Sequence, residues 1–394
     1  MKRVLFLFSD TGGGHRAAAE AIRDALFIRH SGQVQAELVD VFRSYTPFPF
    51  KYMPEMYPWI VNRSKTSWGM SYHLTNSHSR ARLLSDTMYV SIERGLKRML
   101  REHPADVVVC VHSLLNRPSV RAVARLARRP PFVTVVTDLV STHMFWYDRR
   151  VDRCLVPTRI AYERGLLAGL KPDQMRITGL PVHPSFAERL TDKIAARQEL
   201  GWDQDLPAVL LVGGGDGMGP MYQAARALNS RRYRCQLIII AGRNQALRDK
   251  LQSDRWNQPT HIYPFVTNMP VLMAAADILV TKAGPATISE ACIAGLPMLI
   301  YDAIPGQEEG NIDFVVENGA GVFTPGPAAV ADAVGAWLAE GADGLRRRSE
   351  RARQLGRPDA VWTIADEVWH YAQQPPHIAP RRSALLELAR RKTP

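Results

Sequence analysis

The sequence predicts an α/β protein of two Rossmann-like domains that face each other across a cleft. The prediction depends on two similar units, each an apolar strand followed by a glycine-rich loop and continuing into alternating helices and strands. The first unit has the strand 4–8 and a loop that runs into a helix over 16–26. The second has the strand 208–212 followed by Gly213, Gly214, Gly215, Gly217 and Gly219. A chain of 394 residues is long enough for two separate cores.

The first glycine loop leads directly into a histidine. Loops at the carboxyl edge of a parallel sheet bind ligands, and an imidazole there can take a proton from an alcohol. Gly12, Gly14 and Ala17 also satisfy the loose G-x-G-x-x-A dinucleotide pattern, with Asp40 after the next strand-like run. Because that pattern does not account for His15, we favour a catalytic histidine. A helix-capping histidine is the alternative.

The stretch 277–311 supplies a partner for each part of a nucleotide-sugar. A short strand ends before Gly284, where a helix begins whose free N–H groups attract phosphate. Glu290, later on that helix, can accept hydrogen bonds from ribose hydroxyls. A second strand then delivers Gln307 and Glu308, whose amide and carboxylate suit sugar hydroxyls. An ordinary βαβ segment with polar loops is the alternative.

Aromatic residues are concentrated between positions 42 and 72, with four prolines and several basic residues among them. Tyrosine and tryptophan favour the lipid headgroup layer, and lysine and arginine favour anionic lipid. Since prolines interrupt regular structure, we expect 42–78 to be a loop that enters a membrane interface through Tyr57, Trp59 and Trp68. A buried aromatic cluster is one alternative, and stacking on single-stranded nucleic acid is another, although no standard recognition motif is present.

The next stretch, 79–103, predicts an amphipathic basic helix, with apolar residues four apart and basic residues around them. Packing on its own domain explains the apolar stripe. The basic face, including Arg94 and Lys97, is expected to contact phosphate headgroups. The net charge of +12 and pI of about 9.7 fit either nucleic acid or an anionic membrane, and the position of these residues favours the membrane.

Composition limits the remaining possibilities. The four cysteines are far apart and show no C-x-x-C spacing, so neither zinc nor a disulfide framework is predicted, and we expect a reducing, cytoplasmic setting. The apolar run at 4–8 is too short for a signal peptide, and no run approaches the roughly 20 residues of a membrane-spanning helix. The single D-x-D, at 203–205, lies in a polar turn and is not expected to bind a metal ion.

Motifs along most of the chain resemble the monogalactosyldiacylglycerol synthases and related processive diacylglycerol glycosyltransferases. The similar segments run from Lys2 to Phe323 and are SDTGGGHRAAAEAIRDAL, VVTDLVSTHMFWY, VDRCLVPT, ITGLPVHPSF, LLVGGGDGMG, TKAGPATISEA, IPGQEEGN and NGAGVF. More distantly, the chain is similar to the N-acetylglucosaminyltransferase that makes the lipid-linked peptidoglycan precursor. The resemblance implies a GT-B fold and transfer of a hexose, galactose favoured, from its UDP derivative to diacylglycerol with inversion of configuration.

The resemblance also implies roles for particular residues. His15 would be the base, and Asp138 would orient it or contact the acceptor, a helix cap being the alternative. Backbone near Phe265 and Val266 would hold uracil, and Glu290 would hold ribose. The groups around the diphosphate and sugar would be Gly13, Gly14, Gly213, Gly214, Gly215, Lys282, Gly284, Thr287, Gln307 and Glu308. No metal and no cofactor is expected. Many relatives have arginine where this chain has His183, so a phosphate contact there is in question.

Domain boundaries follow from the same segments. We expect an acceptor-side domain over 1–186, a UDP-sugar domain over 187–356, a helix over 357–374 that crosses back to the first domain, and a basic tail over 375–394. The protein would lie peripherally on the cytoplasmic face of a membrane. UDP-glucose, UDP-glucuronate or UDP-N-acetylglucosamine transfer to another lipid is the nearest alternative function. A nucleotide-binding protein without turnover is a second.

Overall fold

Two parallel six-stranded sheets form the framework of the protein. The computed structural model describes residues 1–11, 13–215, 217 and 219–378, with the backbone alone at 58–59 and 61–63. Each sheet is built from one half of the chain and is covered by helices on both faces, as parallel sheets require. The predicted α/β architecture with two Rossmann-like halves is therefore confirmed.

The first sheet has the strand order β2-β1-β3-β5-β6-β7, with every neighbouring pair parallel. Its strands are β1 Lys2–Phe8, β2 Val34–Asp40, β3 Val107–Cys110, β5 Phe132–Val135, β6 Arg153–Val156 and β7 Met175–Ile177. Apart from β2 and β7 these strands are mostly runs of valine, leucine and phenylalanine, buried on both faces. A short antiparallel pair, β4 Arg128–Arg129 with β14 His377–Ile378, lies outside the sheet.

The second sheet has the order β10-β9-β8-β11-β12-β13 and is also entirely parallel. Its strands are β8 Ala208–Val212, β9 Gln236–Ile240, β10 Thr260–Tyr263, β11 Ile278–Lys282, β12 Met298–Asp302 and β13 Gly321–Phe323. Strand β10 ends before Phe265 and Val266, so both lie in the loop at the carboxyl edge of the sheet.

Seventeen α-helices lie in the part of the chain that the structure describes. They are α1 Gly14–Arg29, α2 Val41–Tyr45, α3 Met53–Arg63, α4 Lys65–Thr75, α5 His78–Glu102, α6 Ser113–Val123, α7 Arg159–Leu167, α8 Pro184–Glu188, α9 Lys193–Leu200, α10 Met221–Arg231, α11 Gln245–Gln252, α12 Met269–Ala275, α13 Pro285–Ala294, α14 Glu309–Glu317, α15 Pro327–Ala339, α16 Gly341–Leu355 and α17 Ala360–Gln373. Helix α8 lies at the expected domain boundary between 186 and 187, and α9 follows it.

The expectation of an irregular loop over 42–78 is wrong, because most of this segment is helical. Pro54 lies in the first turn of α3, where proline loses no intrahelical hydrogen bond. The side chain of Ser64 accepts a hydrogen bond from the backbone of Ser67 and so caps α4. Ser77 caps α5 in the same way through Arg80. We counted the prolines as helix breakers without considering their position in the first turn.

Helix α5 packs on the first domain through a stripe that includes Tyr89, Ile92, Leu96 and Met99. Of the residues four apart that predicted the helix, Ile92 and Leu96 are buried, while Leu84 is exposed. At Gly95 the helix touches the backbone of Tyr45 so closely that a Cβ atom there would lie 1.7 Å from the Tyr45 carbonyl oxygen. The helix is therefore fixed against α2 at this glycine.

The last helix returns to the first domain. Helix α17 buries Val361, Ile364 and Val368 in the same core as β1 and α1. Glu367 on α17 forms ion pairs with Arg153 at 2.8 Å and with Arg176 at 2.6 Å, both on strands of the first sheet. The remainder of the predicted basic tail, 379–394, lies outside the described residues. Within the described parts, no helix is long and apolar enough to span a bilayer.

Candidate active site

His15 lies at the amino terminus of α1, at the carboxyl edge of the first sheet. Gly13 adopts the left-handed conformation with φ 77° and turns the chain into the helix. The Nδ1 atom of His15 lies 2.8 Å from the hydroxyl of Thr137, which donates its own proton to the carbonyl of Val111 at 3.3 Å. Because the Thr137 oxygen then accepts the Nδ1 proton, the lone pair of the neutral ring is on Nε2.

Burial lowers the pKa of His15 to about 4, and the Val111 carbonyl opposes this shift only in part. The imidazole is therefore neutral near pH 7. A neutral histidine with its Nδ1 proton held by the protein has the form that a general base requires. Gly13 and Gly14 have open space beside them, since a Cβ atom on either would meet nothing within 4 Å. A substrate can thus approach His15 from the side of the glycines.

Asp138 does not orient His15; the structure gives that position to Thr137. Asp138 is the next residue along the chain, and other partners hold its carboxyl group. Its Oδ2 atom accepts a hydrogen bond from the Trp146 indole at 2.6 Å. Burial raises the pKa of Asp138 to about 6, and the negative charge of Glu308 adds to the shift. Asp138 is thus a buried carboxyl group that faces the second domain.

A second histidine, His112, stands beside His15 and was not singled out from the sequence. It lies two residues after β3, its ring centroid lies 4.4 Å from that of His15, and it is only 3% exposed. Its Nε2 atom lies 3.0 Å from the hydroxyl of Thr11. The position of His112 in the sequence was an available signal, because a polar residue shortly after a buried strand lies at the ligand-binding edge of the sheet.

The facing edge of the second sheet brings the expected donor-binding segments into one row. Following the strand order, the loops after β10, β8, β11 and β12 carry, in turn, Phe265, the glycines 213–215, the start of α13 and Gln307. Helix α13 begins at Pro285 with no side-chain cap, so its first N–H groups are available to a ligand. Thr287 lies in its first turn, and the row follows the order in which base, diphosphate and sugar were expected to bind.

Lys282 reaches across this row. A Cβ atom added to Gly214 would lie 3.5 Å from Cε of Lys282. A Cβ atom added to Gly284 would lie 3.4 Å from its Nζ. The same Nζ atom is hydrogen-bonded to Oε1 of Glu308 at 2.6 Å. The ammonium group therefore lies between the glycine loop and the helix start, where a diphosphate would meet it.

Glu308 is tied to its own domain. It is 3% exposed, and while Oε1 contacts Lys282, Oε2 accepts a hydrogen bond from the backbone of Ile304 at 3.0 Å. Gln307 beside it faces the first domain, where the Tyr57 hydroxyl donates to its Oε1 atom at 3.2 Å. Of the two side chains expected to contact sugar, the amide is thus the one that lies in the cleft.

Phe265, Val266 and Glu290 lie at the positions expected for the uracil base and the ribose. Phe265 is 47% exposed, and the guanidinium of Arg243 lies 4.3 Å from its ring centroid. Val266 packs against the core of the second domain. Glu290 lies on α13, where burial raises its pKa to about 7. The uracil and ribose contacts of these residues remain predictions.

Tyr57 and Trp68 lie in the cleft and not on a membrane-facing loop, which corrects their expected place. Their rings meet edge to face with centroids 5.3 Å apart, next to the Gln307 loop. The same segment holds that loop through Lys65, whose Nζ atom lies 2.6 Å from both carboxylate oxygens of Asp302. The side chain of Trp59 lies outside the described residues.

Arg94 and Lys97 lie on the exposed side of α5, as the amphipathic pattern predicted. Lys97 forms an ion pair with Glu93 at 2.8 Å. Nearer the start of the helix, the same side carries Leu83, which is 71% exposed, and Val90, which is 74% exposed. One stripe of α5 is thus apolar in its first half and basic in its second.

Three further expectations concern phosphate and metal. His183 caps α8 and contacts Asp24 at 3.0 Å. The carboxylate of Asp203 accepts hydrogen bonds from the backbone of Asp205 and Leu206, which is a turn within the D-x-D segment. Among the described residues there is no group of three or more histidine, cysteine, aspartate or glutamate side chains that could hold a metal ion.

The two edges are held together by hydrogen bonds across the cleft. Asn311 on α14 accepts from the backbone of Val140 at 3.2 Å and donates to the carbonyl of Ala283 at 2.9 Å. The backbone of Gly310 donates to the hydroxyl of Ser141 at 3.0 Å. His15 in one domain thus faces the expected donor-binding row in the other, which is the arrangement of a GT-B glycosyltransferase.

The chain belongs to the monogalactosyldiacylglycerol synthase family. The family model for monogalactosyldiacylglycerol (MGDG) synthase matches residues 15–182, and the model for the glycosyltransferase family 28 C-terminal domain matches 208–322. Monogalactosyldiacylglycerol synthase 3 of Arabidopsis thaliana is 39% identical over 387 residues, which cover 96% of this chain and 83% of that one. The probable synthase of Nicotiana tabacum is 40% identical over 386 residues, covering 95% and 71%.

Solved structures show the same fold at low identity. MurG of Acinetobacter baumannii matches with a TM-score of 0.59 and 16% identity, covering 94% of this chain and all of that one. MnaA of S. aureus in complex with UDP matches with a TM-score of 0.60 and 16% identity, covering 94% and 97%. These likenesses confirm the GT-B fold.

The expected cytoplasmic location is wrong by the same comparison, because the curated relatives are named as chloroplastic enzymes. Cysteine spacing separates reducing from oxidising surroundings but carries no organelle address. The location was therefore inferred from a signal that cannot define it.

Proposed function

We propose that the protein transfers galactose from UDP-galactose to the free hydroxyl of diacylglycerol, with His15 as the general base. The family supports the reaction, and one observation supports the base: the Nδ1 proton of His15 is held by Thr137, which leaves the lone pair of the neutral ring on Nε2. General-base assistance of this kind contributes about 10²–10⁴-fold to a rate.

The reaction is a single displacement at the anomeric carbon. The acceptor oxygen attacks from the side opposite the diphosphate and forms the new C–O bond, while its proton passes to Nε2 of His15. The bond between the anomeric carbon and the phosphate oxygen breaks, and its electron pair leaves with UDP. Configuration is inverted, so an α-linked donor gives a β-galactoside.

The charge that develops on the leaving diphosphate would be stabilised by the protein without a metal ion. Lys282 lies between the glycine loop and the helix start, and the first N–H groups of α13 point out of the helix. Thr287 and the amides of Gly213–Gly215 would add hydrogen bonds. Glu290 would accept from ribose, and the loop at Phe265 and Val266 would hold uracil.

The acceptor is a lipid, and we assign its approach to the exposed faces of α4 and α5. Met70 and Leu74 are 61% and 58% exposed on α4, next to the stripe of Leu83 and Val90 on α5. Arg94 and Lys97 continue that stripe. Apolar side chains beside basic ones suit the interface of an anionic membrane, on which the protein would bind peripherally.

The deciding experiment is a UDP-release assay with purified protein. UDP-galactose and UDP-glucose are supplied in turn, with diacylglycerol in mixed micelles that contain or lack anionic lipid, and with or without EDTA. We expect release that requires diacylglycerol, is faster with UDP-galactose and anionic lipid, and is unchanged by EDTA. NMR of the glycolipid should show a β-linkage.

Other outcomes would contradict separate parts of the proposal. Tight UDP binding without release from either donor would contradict diacylglycerol as the acceptor. Faster release from UDP-glucose would contradict galactose, and loss of rate with EDTA would contradict the metal-free mechanism. An α-linked product would rule out the single displacement.

A further inference from the structure

Four side chains form a chain of hydrogen bonds across the cleft, which we name the cleft network: Tyr57, Gln307, Asp138 and Trp146. The Tyr57 hydroxyl donates to Oε1 of Gln307 at 3.2 Å. The amide of Gln307 also lies beside the carboxyl group of Asp138 and lowers the pKa of that group. The Trp146 indole donates to Oδ2 of the same carboxyl group at 2.6 Å. Only Gln307 belongs to the second domain.

The two neighbours of Gln307 select one orientation of its amide. A glutamine amide has an oxygen that accepts and a nitrogen that donates two protons, and a half-turn exchanges them. The Asp138 carboxylate can only accept, so the amide nitrogen must face it. The oxygen then faces Tyr57, whose hydroxyl is able to donate. Both contacts favour the same orientation, and the second N–H of the amide remains for a ligand.

The backbone that carries Gln307 is held from the same side. Lys65 on α4 binds Asp302 at 2.6 Å, at the start of the loop. A Cβ on Gly69 would lie 2.7 Å from the Cβ of Pro305, and one on Gly306 would lie 2.7 Å from the ring of Tyr72. Helix α4 therefore packs tightly on the loop, and the Gln307 side chain has little freedom to move away.

Glu308 cannot take the same role, since its carboxylate has no proton to donate and its two oxygens already accept from Lys282 and the Ile304 backbone. The remaining N–H of Gln307 is thus the directional group that this loop offers to the donor sugar. Galactose and glucose differ only in the direction of one hydroxyl. A buried N–H group that hydrogen-bonds the hydroxyl of one epimer, and is left without a partner by the other, discriminates between the two sugars.

We propose that Tyr57 and Asp138 are positioning residues that fix the Gln307 amide, and that the fixed amide sets the preference for galactose over its C4 epimer. The proposal rests on the function proposed above. Its consequence is that selectivity for the donor sugar is determined partly by the domain that binds the acceptor. A variant that frees the amide should lose selectivity before it loses affinity for the nucleotide.

The test compares dissociation constants for UDP-galactose, UDP-glucose and UDP, and kcat/KM for the two sugars where turnover is measurable. Tyr57→Phe removes one hydroxyl and keeps the ring on Trp68. Asp138→Asn replaces an acceptor by an amide that also fits the reversed orientation. We expect each to reduce the galactose-to-glucose ratio by about threefold to tenfold, the effect of one hydrogen bond. The dissociation constant for UDP, which lacks the sugar, should stay unchanged.

Two controls make the result specific. Tyr52→Phe removes a hydroxyl from the same segment, but Tyr52 contacts only Phe48 and Lys51 among the ring contacts described, so the ratio should not change. In a Gln307→Ala background, Tyr57→Phe should have no further effect on the ratio, because Tyr57 acts through the amide. A merely structural role of Tyr57 would still lower stability in that background.

The inference is overturned if both variants keep the wild-type ratio, if affinity for UDP falls together with both sugars, or if the wild-type protein itself shows no preference between the two sugars. Failure of the proposed function gives a different result. Wild-type protein would then release no UDP in the presence of diacylglycerol, while the binding ratios would still test the cleft network.

Discussion

The two glycine-rich loops follow the same kind of strand but differ in what surrounds them. The first opens on free space at Gly13 and Gly14 and is followed at once by His15. The second is lined by cations, since Lys282 lies against Gly214, and Arg243 lies 3.1 Å from the place of a Cβ on Gly215. On the function proposed above, the same backbone motif would serve a proton acceptor in one domain and an anion site in the other. The residues around a loop, and not its glycines, define its chemistry.

The strongest test of this comparison removes the imidazole. His15→Ala should lower kcat by about 10²–10⁴-fold and leave the dissociation constant for UDP unchanged, because the base belongs to one loop and the nucleotide to the other. Steady-state kinetics and calorimetry measure the two quantities. His370→Ala, at an exposed position on α17, is the matched control and should behave as wild type. A wild-type rate in His15→Ala would remove the base assignment.

A second test compares the loops as structures. Gly13 and Gly217 both have positive φ, at 77° and 58°, so alanine at either costs about 1–2 kcal/mol in backbone strain. At Gly217 the new Cβ would also lie 2.2 Å from the carbonyl oxygen of Ala241, whereas Gly13 has open space. Chemical denaturation should therefore show a larger loss of stability for Gly217→Ala than for Gly13→Ala. Equal losses would mean that the second loop is not held against β9.

The smallest effect concerns the acid on α13. Burial raises the pKa of Glu290 from 4.5 to about 7, so between these values the folded protein binds a proton that the unfolded chain has released. Its contribution to stability is therefore greatest at low pH and decreases as pH rises from about 4.5 to 7. Glu290→Gln lacks this dependence. The measurement is the difference between the Tm of Glu290→Gln and the Tm of wild type, in the absence of nucleotide. This difference should increase by a few degrees as pH rises across the range. The change in the free energy of unfolding is limited to about 1.4 kcal/mol per unit of pKa shift. A difference that does not vary with pH would show that Glu290 is solvated.

Much of the framework was predictable because it depends on local patterns. Unbroken apolar runs identified the strands at 4–8, 208–212 and 298–301, since a strand covered on both faces has no polar side. The glycines after the first and eighth strands, together with His15, marked the ligand-binding edge. The helix at 357–374 was expected from the resemblance.

The parts of the site that were not predicted depend on contacts between distant segments. Thr137 lies 122 positions along the chain from its partner His15. His112 lies 101 positions from its partner Thr11. Tyr57 was assigned to a membrane because aromatic composition is the same for an interface and for a cleft wall. Only the packing of α3 and α4 on the Gln307 loop distinguishes a cleft wall from a membrane interface.

The return of α17 to the first domain affects the order in which the protein can fold as it is synthesised. The first domain contains the residues that leave the ribosome first, yet the side of its core formed by Val4, Phe6 and Ile22 is closed by Val361 and Ile364. Until residues near 370 have emerged, that apolar face has no cover from its own chain. The second domain, whose cores extend to Trp337 and Ala352, is complete earlier. The half that is made first is therefore finished last, and an emerging chain would depend on chaperones to shield this face from aggregation.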